Sequence, residues 1–196
     1  MGLTAVPDNY VAAIVTSLEM TSRPLPKPVP ASPLKLVRWQ QPSAAKYRTL
    51  FSRVGTPWLW FSRVLLDDAA LLAIIHDPLV EIHAVVDPAG IEVGILELDF
   101  RIGGQAEISY FGLITELAGK GLGRWLMAET LARAWRKDIT RVWVHTCTLD
   151  HPSALNFYQR QGFAPYQRQI ETFADPRMSG ALPAEAAPHV PLLTRR

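Results

Sequence analysis

The sequence predicts a single α/β domain with a mixed, mostly antiparallel sheet of about six to seven strands and helices on both faces. Three observations indicate this class. Residues 80–86 and 91–100 are rich in strand-forming residues and are joined by the turn-forming segment 87–90. Residues 107–114 form a third strand-like segment directly after this hairpin. A glycine-rich turn then leads into a segment of helical composition, residues 124–137.

The composition is that of a soluble globular protein with one full core. The chain has 196 residues, of which 48% are hydrophobic and 19% charged, with a net charge of +2. This near-balance argues against a nucleic-acid or membrane surface. No apolar run is long enough for a membrane span and no signal-peptide pattern is present, so a cytoplasmic protein is expected. The single cysteine, Cys147, excludes an intrachain disulfide and is expected to be a small buried hydrophobe.

Proline runs divide the chain into an arm, residues 1–33, a main domain, residues 34–173, and a loose tail, residues 174–196. Within the arm, residues 9–20 fit either an added strand or a short helix. The segment that follows fits a disordered leader as well as an extended arm packed on the body or on a second subunit, because five prolines favour extended backbone: Pro24, Pro26, Pro28, Pro30 and Pro33.

The remaining elements follow from capping residues and periodicity. Ser43 and Asp67 stand where helix N-caps or first turns are expected. The predicted elements are strands at 34–40, 141–148 and 163–173 and helices at 44–54, 67–76 and 152–161. In the helix after the glycine turn, six apolar residues spaced by three or four predict one buried face: Leu122, Trp125, Ala128, Ala132, Trp135 and Ile139.

The glycine-rich turn has the properties of an anion-binding loop. Gly119, Gly121 and Gly123 permit close backbone approach, and the free N–H groups of a first helical turn suit a phosphate. Their G-x-G-x-G spacing matches neither the dinucleotide fingerprint nor the P-loop. It resembles the acetyl-CoA pyrophosphate loop of the GNAT-type N-acetyltransferase superfamily, [QR]-x-x-G-x-[GA], with Ala118 in place of Gln or Arg. On the loop alone, a tight turn without a ligand fits equally well.

A second motif favours the family. Residues 151–163 resemble the GNAT signature N-x-x-A-x-x-x-Y-x-x-x-G-F, and His151 replaces the usual Asn. The matching positions are Ala154, Tyr158, Gly162 and Phe163. The resemblance covers residues 34–173. It implies a sheet splayed between the glycine-loop strand and the next strand, with acetyl-CoA in the wedge.

The resemblance also implies the cosubstrate-binding residues. Backbone amides near Leu113 and Ile114 are expected to hold the pantetheine arm and to polarise the thioester carbonyl. The pyrophosphate is expected on the amides of the loop, with the cations of Lys120 and Arg124 beside them: Gly119, Lys120, Gly121, Leu122, Gly123 and Arg124. His151 and Ser153 are expected to contact the cosubstrate at the second motif. No metal is predicted, because histidines and carboxylates lack ligand spacing.

Acetyl transfer needs an acid and a base. The motif makes Tyr158 the candidate acid for the leaving thiolate. Glu107 is the candidate base, on a strand face shared with Ser109 and Phe111, although a plain surface glutamate fits nearly as well. His145 attracts interest because histidine titrates near neutral pH, but a core or cavity-lining histidine is the simpler interpretation.

The acceptor is the part of the reaction that the sequence specifies least. Trp58, Trp60 and Phe61 could wall an acceptor pocket or belong to the core. Glu97, Asp99 and Glu107 could attract an amine cation. The prediction is an acetyl-CoA-dependent N-acetyltransferase acting on a small-molecule or peptide amine, and a homodimer is left open. A non-catalytic acyl-CoA-binding module is the alternative, because two motif positions depart from the family, and a nucleotide-binding regulatory domain is a weaker third.

Overall fold

A mixed seven-stranded sheet with helices on both faces confirms the predicted fold class. The computed structural model describes residues 2–25 and 28–193. The strand order is β2-β3-β4-β5-β6-β1-β7, and only the β5–β6 pair is parallel among the described pairs. The strands are β1 (Tyr10–Met20), β2 (Lys35–Arg38), β3 (Val80–Val86), β4 (Glu92–Asp99), β5 (Gln105–Leu113), β6 (Arg141–Cys147) and β7 (Ala164–Ala174). The helices are α1 (Ala44–Gly55), α2 (Asp68–Ile75), α3 (Leu122–Ala134) and α4 (Ala154–Arg160).

The helix starts follow the capping residues closely. The side chain of Ser43 accepts the N–H of Lys46, and the side chain of Asp67 accepts the N–H of Ala70. These bonds satisfy amides that have no partner within the helix. The helices α1 and α2 therefore begin within one residue of their predicted starts.

The N-terminal strand β1 lies inside the sheet, where it pairs with β6 on one side and β7 on the other. This decides between the strand and the short helix expected for residues 9–20. Leu18 and Met20 are buried in the core with strand residues of β6. The segment is therefore part of the main sheet, and the arm as a whole is not separate from the body. Of the proline run, Pro26 lies outside the described residues.

Two cores lie on opposite faces of the sheet. On one face, α1 and α2 pack on Ile82, Ala84 and Ile95. On the other face, α3 packs on Leu96, Leu98 and their neighbours, together with Tyr158 of α4. The alternation of Ile95 and Leu96 between the two cores is the period of a strand that is covered on both sides.

The buried face of α3 differs from the predicted one. Ala132 is exposed, and the helix ends at Ala134, so Trp135 and Ile139 follow it rather than extend its face. The residues that α3 buries are Trp125, Leu126, Met127, Thr130 and Ala134. The apolar pattern was ambiguous because both sides of the helix carry large apolar residues, and the sheet contacts choose between them.

The C-terminal segment is packed, so the prediction of a loose tail is wrong for its described part. Leu182, Ala186 and Ala187 are buried against Val11 and Ala13 of β1. Arg177 anchors the segment: its guanidinium bonds Asp175 and the carbonyl oxygens of residues 186, 190 and 191. The Arg177 bonds hold the pKa of the Asp175 carboxyl below its usual value despite burial.

Replacing Arg177 by alanine should lower the free energy of unfolding by about 3–5 kcal/mol, because it leaves the carboxylate of Asp175 buried without its cation. Urea denaturation at neutral pH measures this loss. Arg160→Ala, at an exposed position at the end of α4, is the matched control and should change stability by less than about 0.5 kcal/mol. Equal stability of the two variants would mean that the tail contributes nothing to the fold.

No helix in the described part of the chain has the length and apolar character needed to cross a membrane.

Candidate active site

A split in the sheet between β5 and β6 creates the main cavity. The two strands pair from Gln105 and Arg141 as far as Ile108 and Val144, and there the pairing stops. Beyond that point β5 continues beside β4 and β6 continues beside β1. A cavity of about 710 Å³ fills the opening and extends to the glycine loop. The structure therefore shows the splay that the resemblance implied.

A β-bulge at the split changes which side chains share a face. Glu107 lies opposite Asp99, and Tyr110 lies opposite Glu97, so Ser109 is one residue too many for regular alternation. Glu107 therefore shares its face with Tyr110. The prediction that it shares a face with Phe111 is wrong, because strict alternation fails at the bulge. Phe111 packs on the opposite face, against the α3 core.

Glu107 has the electrostatic setting of a general base. Burial, followed by the charges of Asp99 and Glu97, raises the pKa of its carboxyl from 4.5 to about 7, although Arg63 and Arg101 act in the opposite direction. The side chain is 22% exposed and lines the cavity. A carboxylate with a pKa near 7 can take up a proton at neutral pH more readily than an ordinary glutamate.

The neighbouring carboxylates are already paired. Glu97 is fully buried, and it accepts hydrogen bonds from the hydroxyl of Tyr47 and from Arg63, both at 2.6 Å. Asp99 is held by the guanidinium fork of Arg101. Glu97 is therefore not available to attract an amine, and Asp99 is neutralised locally. Of the three carboxylates expected to draw in a cation, Glu107 is the one that lines the cavity without an arginine partner.

His145 stands next to Glu107 across the split. Its Nδ1 lies 3.8 Å from Oε1 of Glu107, and its side chain is 48% exposed. It lines the cavity and does not belong to the core. The pair could pass a proton between the cavity and solvent.

Tyr158 lies on the other face of the sheet. Its ring is buried among Phe111, Phe157 and Phe163, and it lines the cavity. Burial, with a smaller contribution from the charge of Asp150, raises the pKa of its hydroxyl above its ordinary value. The phenol is therefore protonated at neutral pH, as a general acid must be.

The glycine loop presents unpaired backbone donors. Gly119 and Gly121 have φ angles of +73° and +76°, and the residues from 118 to 121 are exposed. Within the part of the chain that the structure describes, no backbone carbonyl accepts the N–H groups of residues 119–123. The start of α3 directly follows, so these amides combine with the positive end of the helix dipole. Lys120 and Arg124 are exposed beside them.

The amides at the end of β5 point alternately toward β4 and toward the split. The N–H of Ile114 donates to the carbonyl of Val93 at 2.9 Å, so this amide is not free for a ligand. Because alternate residues of a strand direct their amides to opposite edges, the amides of Leu113 and Phe111 face the split. The amide of Leu113 thus faces the split, Ile114 contributes its side chain to the cavity wall, and the sequence analysis did not single out the amide of Phe111, which also faces the split.

The start of α4 explains the departure at position 151. The Nδ1 of His151 lies 2.8 Å from the hydroxyl of Ser153 and accepts the N–H of Ser153 at 3.2 Å. An asparagine side chain makes the same kind of local bond. His151 therefore retains a turn-forming role at the cavity wall, and its ring contacts that of Trp58.

Trp58, Trp60 and Phe61 line the cavity and are each partly buried. Asp150, which the sequence analysis did not single out, connects this segment to β6. Its carboxylate accepts the indole N–H of Trp60 at 3.4 Å, the hydroxyl of Thr146 at 2.7 Å and the amide of Cys147 at 2.9 Å.

Cys147 lines the cavity and is only partly buried, which corrects the expectation of a core residue. Burial, followed by the charge of Asp150, raises the pKa of its thiol to about 11. A thiol that stays protonated at neutral pH is a poor nucleophile.

Residues 2–25 and 28–193 contain no group of three or more His, Cys, Asp or Glu side chains arranged to hold a metal ion. The cavity instead fits an elongated anion. Unpaired amides at the glycine loop suit a pyrophosphate, and the split strand offers further donors along the way to Glu107.

The split sheet, the glycine loop at a helix start and the position of Tyr158 define a GNAT-like fold. The model of the acetyltransferase (GNAT) family matches residues 58–163, and the chain belongs to this family. Among curated proteins, no sequence matches the chain significantly.

Solved structures share the fold at low sequence identity. A GCN5-related N-acetyltransferase from Sphaerobacter thermophilus is 19% identical over 84% of this chain and 53% of its own, with a TM-score of 0.59. A functionally unknown conserved protein from Staphylococcus epidermidis is 13% identical over 85% of this chain and 63% of its own, with a TM-score of 0.57. An aminoglycoside acetyltransferase from an uncultured soil metagenomic sample was solved in complex with sisomicin. It is 18% identical over 66% of this chain and 88% of its own, with a TM-score of 0.54. The chain thus spans less than two thirds of the first two proteins.

Proposed function

We propose that the protein transfers an acetyl group from acetyl-CoA to a primary amine by direct attack in a ternary complex. One observation carries the proposal. A single cavity joins the unpaired amides of the glycine loop to Glu107 on one face of the sheet and Tyr158 on the other. The proposal thus has an anion site, a base and an acid along one continuous path.

The cosubstrate would lie in the split. Amides of residues 119–123, with the charges of Lys120 and Arg124, would bind the pyrophosphate. The amides of Phe111 and Leu113 would bond the pantetheine arm and the thioester oxygen as it gains charge. His151 and Ser153 would close the wall beside the arm.

The amine must first become neutral, since an alkylammonium has a pKa of about 10 and carries no free lone pair. Glu107 would take this proton, with His145 beside it to pass the proton on. The nitrogen then attacks the acetyl carbon, and the carbonyl electrons move to oxygen. The nitrogen now carries a positive charge, and it loses its second proton to solvent in the cavity. When the carbonyl re-forms, the carbon–sulfur bond breaks. The thiolate of CoA takes the hydroxyl proton of Tyr158, which is later restored from solvent.

The fold separates the two proton transfers. Glu107 and Tyr110 share the face of α1 and α2, whereas Tyr158 lies on the face of α3 and α4. An amine approaching from the first face and a thiol leaving toward the second would meet at the split. The base that accepts the amine proton and the acid that protonates the thiolate would therefore lie on opposite sides of the reacting carbon.

Calorimetric titration with acetyl-CoA tests the proposal, with CoA, ATP and NAD as comparisons. Binding of acetyl-CoA and CoA alone, followed by CoA release in the presence of amines, is the expected result. Binding without release of CoA with any amine would favour a non-catalytic acyl-CoA-binding module. Binding of ATP or NAD instead would indicate a nucleotide-binding domain.

Replacing Gly121 by valine should weaken acetyl-CoA binding at least about 100-fold, because a side chain would stand among the loop amides at a positive φ. Gly180→Val is the matched control, since Gly180 has a φ of +74° and open space around it but lies outside the cavity. The control should bind acetyl-CoA normally in the same titration. Normal binding by the Gly121 variant would exclude the loop as the pyrophosphate site.

The aminoglycoside acetyltransferase with the same fold was solved in complex with sisomicin. This supports a small-molecule acceptor over a protein terminus. A cytoplasmic location stays a prediction from the sequence.

A further inference from the structure

We infer that the C-terminal segment, residues 175–193, holds two stretches of the cavity wall in place and that His189 joins them as a positioning residue. The two stretches are residues 56–61, which follow α1, and the β6–α4 loop, residues 148–153. Among the described residues that line the cavity, none belongs to the C-terminal segment, so its effect passes through these two stretches. The segment also lies outside residues 58–163, which match the family model, so its contacts are a feature of this chain. The inference rests on the proposed function for the molecule that the cavity binds, whereas the contacts do not depend on it.

A small core joins the C-terminal segment to both stretches of the wall. Leu59 and Leu149, one from each stretch, are buried in the cluster that also contains Leu182, Ala186 and Ala187. The backbone of Leu59 has a φ of +55°. A leucine keeps this strained conformation only where its surroundings fix it, and the C-terminal segment is part of those surroundings. Displacement of the segment would therefore loosen both stretches together.

His189 makes one polar and one aromatic contact between the segment and the wall. Its Nε2 lies 3.0 Å from the carbonyl oxygen of Leu149, and because a carbonyl can only accept, this nitrogen carries the hydrogen. The ring centres of His189 and Trp58 are 5.7 Å apart, and those of Trp58 and His151 are 5.3 Å apart. Trp58 thus contacts a ring of the segment and a ring of the β6–α4 loop, so these contacts connect the two stretches to each other.

The backbone that carries His189 is fixed on both sides of this residue. The guanidinium of Arg177 donates hydrogen bonds to the carbonyl oxygens of residues 186, 190 and 191, and its side chain is almost fully buried. A contact made from a segment that is already ordered costs little further conformational entropy. His189 can therefore hold its two partners in place.

These contacts have a defined consequence for binding. In the proposed function, His151 and Ser153 wall the arm of acetyl-CoA, and Trp58 belongs to the wall beside them. Loosening the two stretches should therefore weaken acetyl-CoA binding. The groups assigned to proton transfer are held by other contacts, Glu107 by the pairing of β5 with β4 and Tyr158 by the rings around it. The chemical step should therefore change less than binding.

Three substitutions of His189 separate its two contacts. Glutamine keeps an N–H for the carbonyl of Leu149, phenylalanine keeps a ring beside Trp58, and alanine keeps neither. We expect His189→Ala to raise both the Kd of acetyl-CoA in calorimetry and its KM by about three- to tenfold, the scale of one lost hydrogen bond. His189→Gln and His189→Phe should fall between His189→Ala and wild type. Because the contacts act on binding, kcat should stay within about twofold of wild type in all three variants.

His76→Ala is the matched control. The Nε2 of His76 lies 2.9 Å from the carbonyl oxygen of Pro42, so the substitution removes the same kind of contact away from the cavity. It should lower the free energy of unfolding about as much as His189→Ala but leave acetyl-CoA affinity unchanged. Hydrogen exchange of the unliganded proteins, measured by mass spectrometry, locates the loosening without turnover. Exchange should rise at residues 56–61 and 148–153 in His189→Ala, and near Pro42 and His76 in the control.

The outcomes separate this inference from the proposed function. If wild type binds acetyl-CoA, an unchanged Kd in His189→Ala would overturn the inference and leave the acetyltransferase proposal in place. A uniform rise of exchange along the whole chain would also overturn it, because the substitution would then act on global stability. If wild type does not bind acetyl-CoA, the proposed function is rejected, and the exchange at the two stretches still decides whether His189 positions them.

Discussion

Replacing Glu107 by glutamine is expected to lower kcat by about 10²–10⁴-fold, the usual contribution of a general base. Glutamine keeps the size of the side chain but cannot take a proton from the ammonium. Acetyl-CoA affinity should stay within about twofold of wild type, because Glu107 lies away from the glycine loop. Steady-state rates and calorimetry on the same preparation check both statements, with Glu185→Gln, an exposed tail residue, as the control.

The pH profile distinguishes loss of a base from a general disturbance. Only the ionised carboxylate accepts a proton, so the wild-type rate should rise with pH through about 7, the pKa to which burial and the charges of Asp99 and Glu97 raise Glu107. The variant should lack this rise. A variant with the wild-type profile would move the base to His145 or to an ordered water.

Stability should change in the opposite direction from activity. The folded pKa of Glu107 is raised above 4.5, so the folded state holds the proton more tightly than the unfolded state. The stability that this provides is present below pH 4.5 and is lost as pH rises through about 7. At pH 8 the glutamine variant should therefore be more stable than wild type by about 1–3 kcal/mol, and nearly equal at pH 4. Urea denaturation at the two pH values measures the difference.

The local features of this protein could be predicted from its sequence because they depend on neighbouring residues. Caps such as Ser43 and Asp67 accept the N–H of a residue within one helical turn, so a few consecutive residues are enough to predict where the helix starts. The positive φ angles of Gly119 and Gly121 likewise follow from residue type. The two motifs then fixed the order of strand, loop, helix and strand around the split.

The features that were missed depend on distant parts of the chain. The bulge at Ser109 exists only relative to β4, and because of it Glu107 and Tyr110 lie on the same face of the sheet. The choice of strand for residues 10–20 depends on β6 and β7, more than 100 residues away. The tail is fixed by carbonyls that meet Arg177 only after folding. Local propensity carries no information about such partners.

The partners of the three carboxylates near the split also could not be predicted from the sequence. From the sequence, Glu97, Asp99 and Glu107 are three similar carboxylates on two strands. In the folded protein, Glu97 accepts hydrogen bonds from Tyr47 and Arg63, and Asp99 accepts them from Arg101. Of the three, Glu107 is thus the carboxylate that lines the cavity without an arginine partner, which makes it the candidate base.

Replacing Tyr158 by phenylalanine is expected to lower kcat by about 10²–10³-fold, because the leaving thiolate would lose its proton donor. The ring contacts with Phe111, Phe157 and Phe163 would remain, since only the hydroxyl is removed. The free energy of unfolding and acetyl-CoA affinity should therefore stay close to wild type. Tyr166→Phe, which removes a hydroxyl outside the cavity, is the matched control and should keep full activity.

The dependence of the rate on the leaving group separates an acid from a residue that only packs. If Tyr158 protonates the thiolate, the rate of the variant should depend more steeply on the acidity of the departing thiol than that of wild type. Single-turnover measurements with acetyl donors of graded thiol acidity, built on the CoA framework, give this slope. An unchanged slope with a lower rate would mean that the hydroxyl positions the cosubstrate, and an unchanged rate would remove Tyr158 as the acid. Because burial raises the pKa of the hydroxyl, it keeps its proton at neutral pH and can release it only when the carbon–sulfur bond breaks and the thiolate forms beside it.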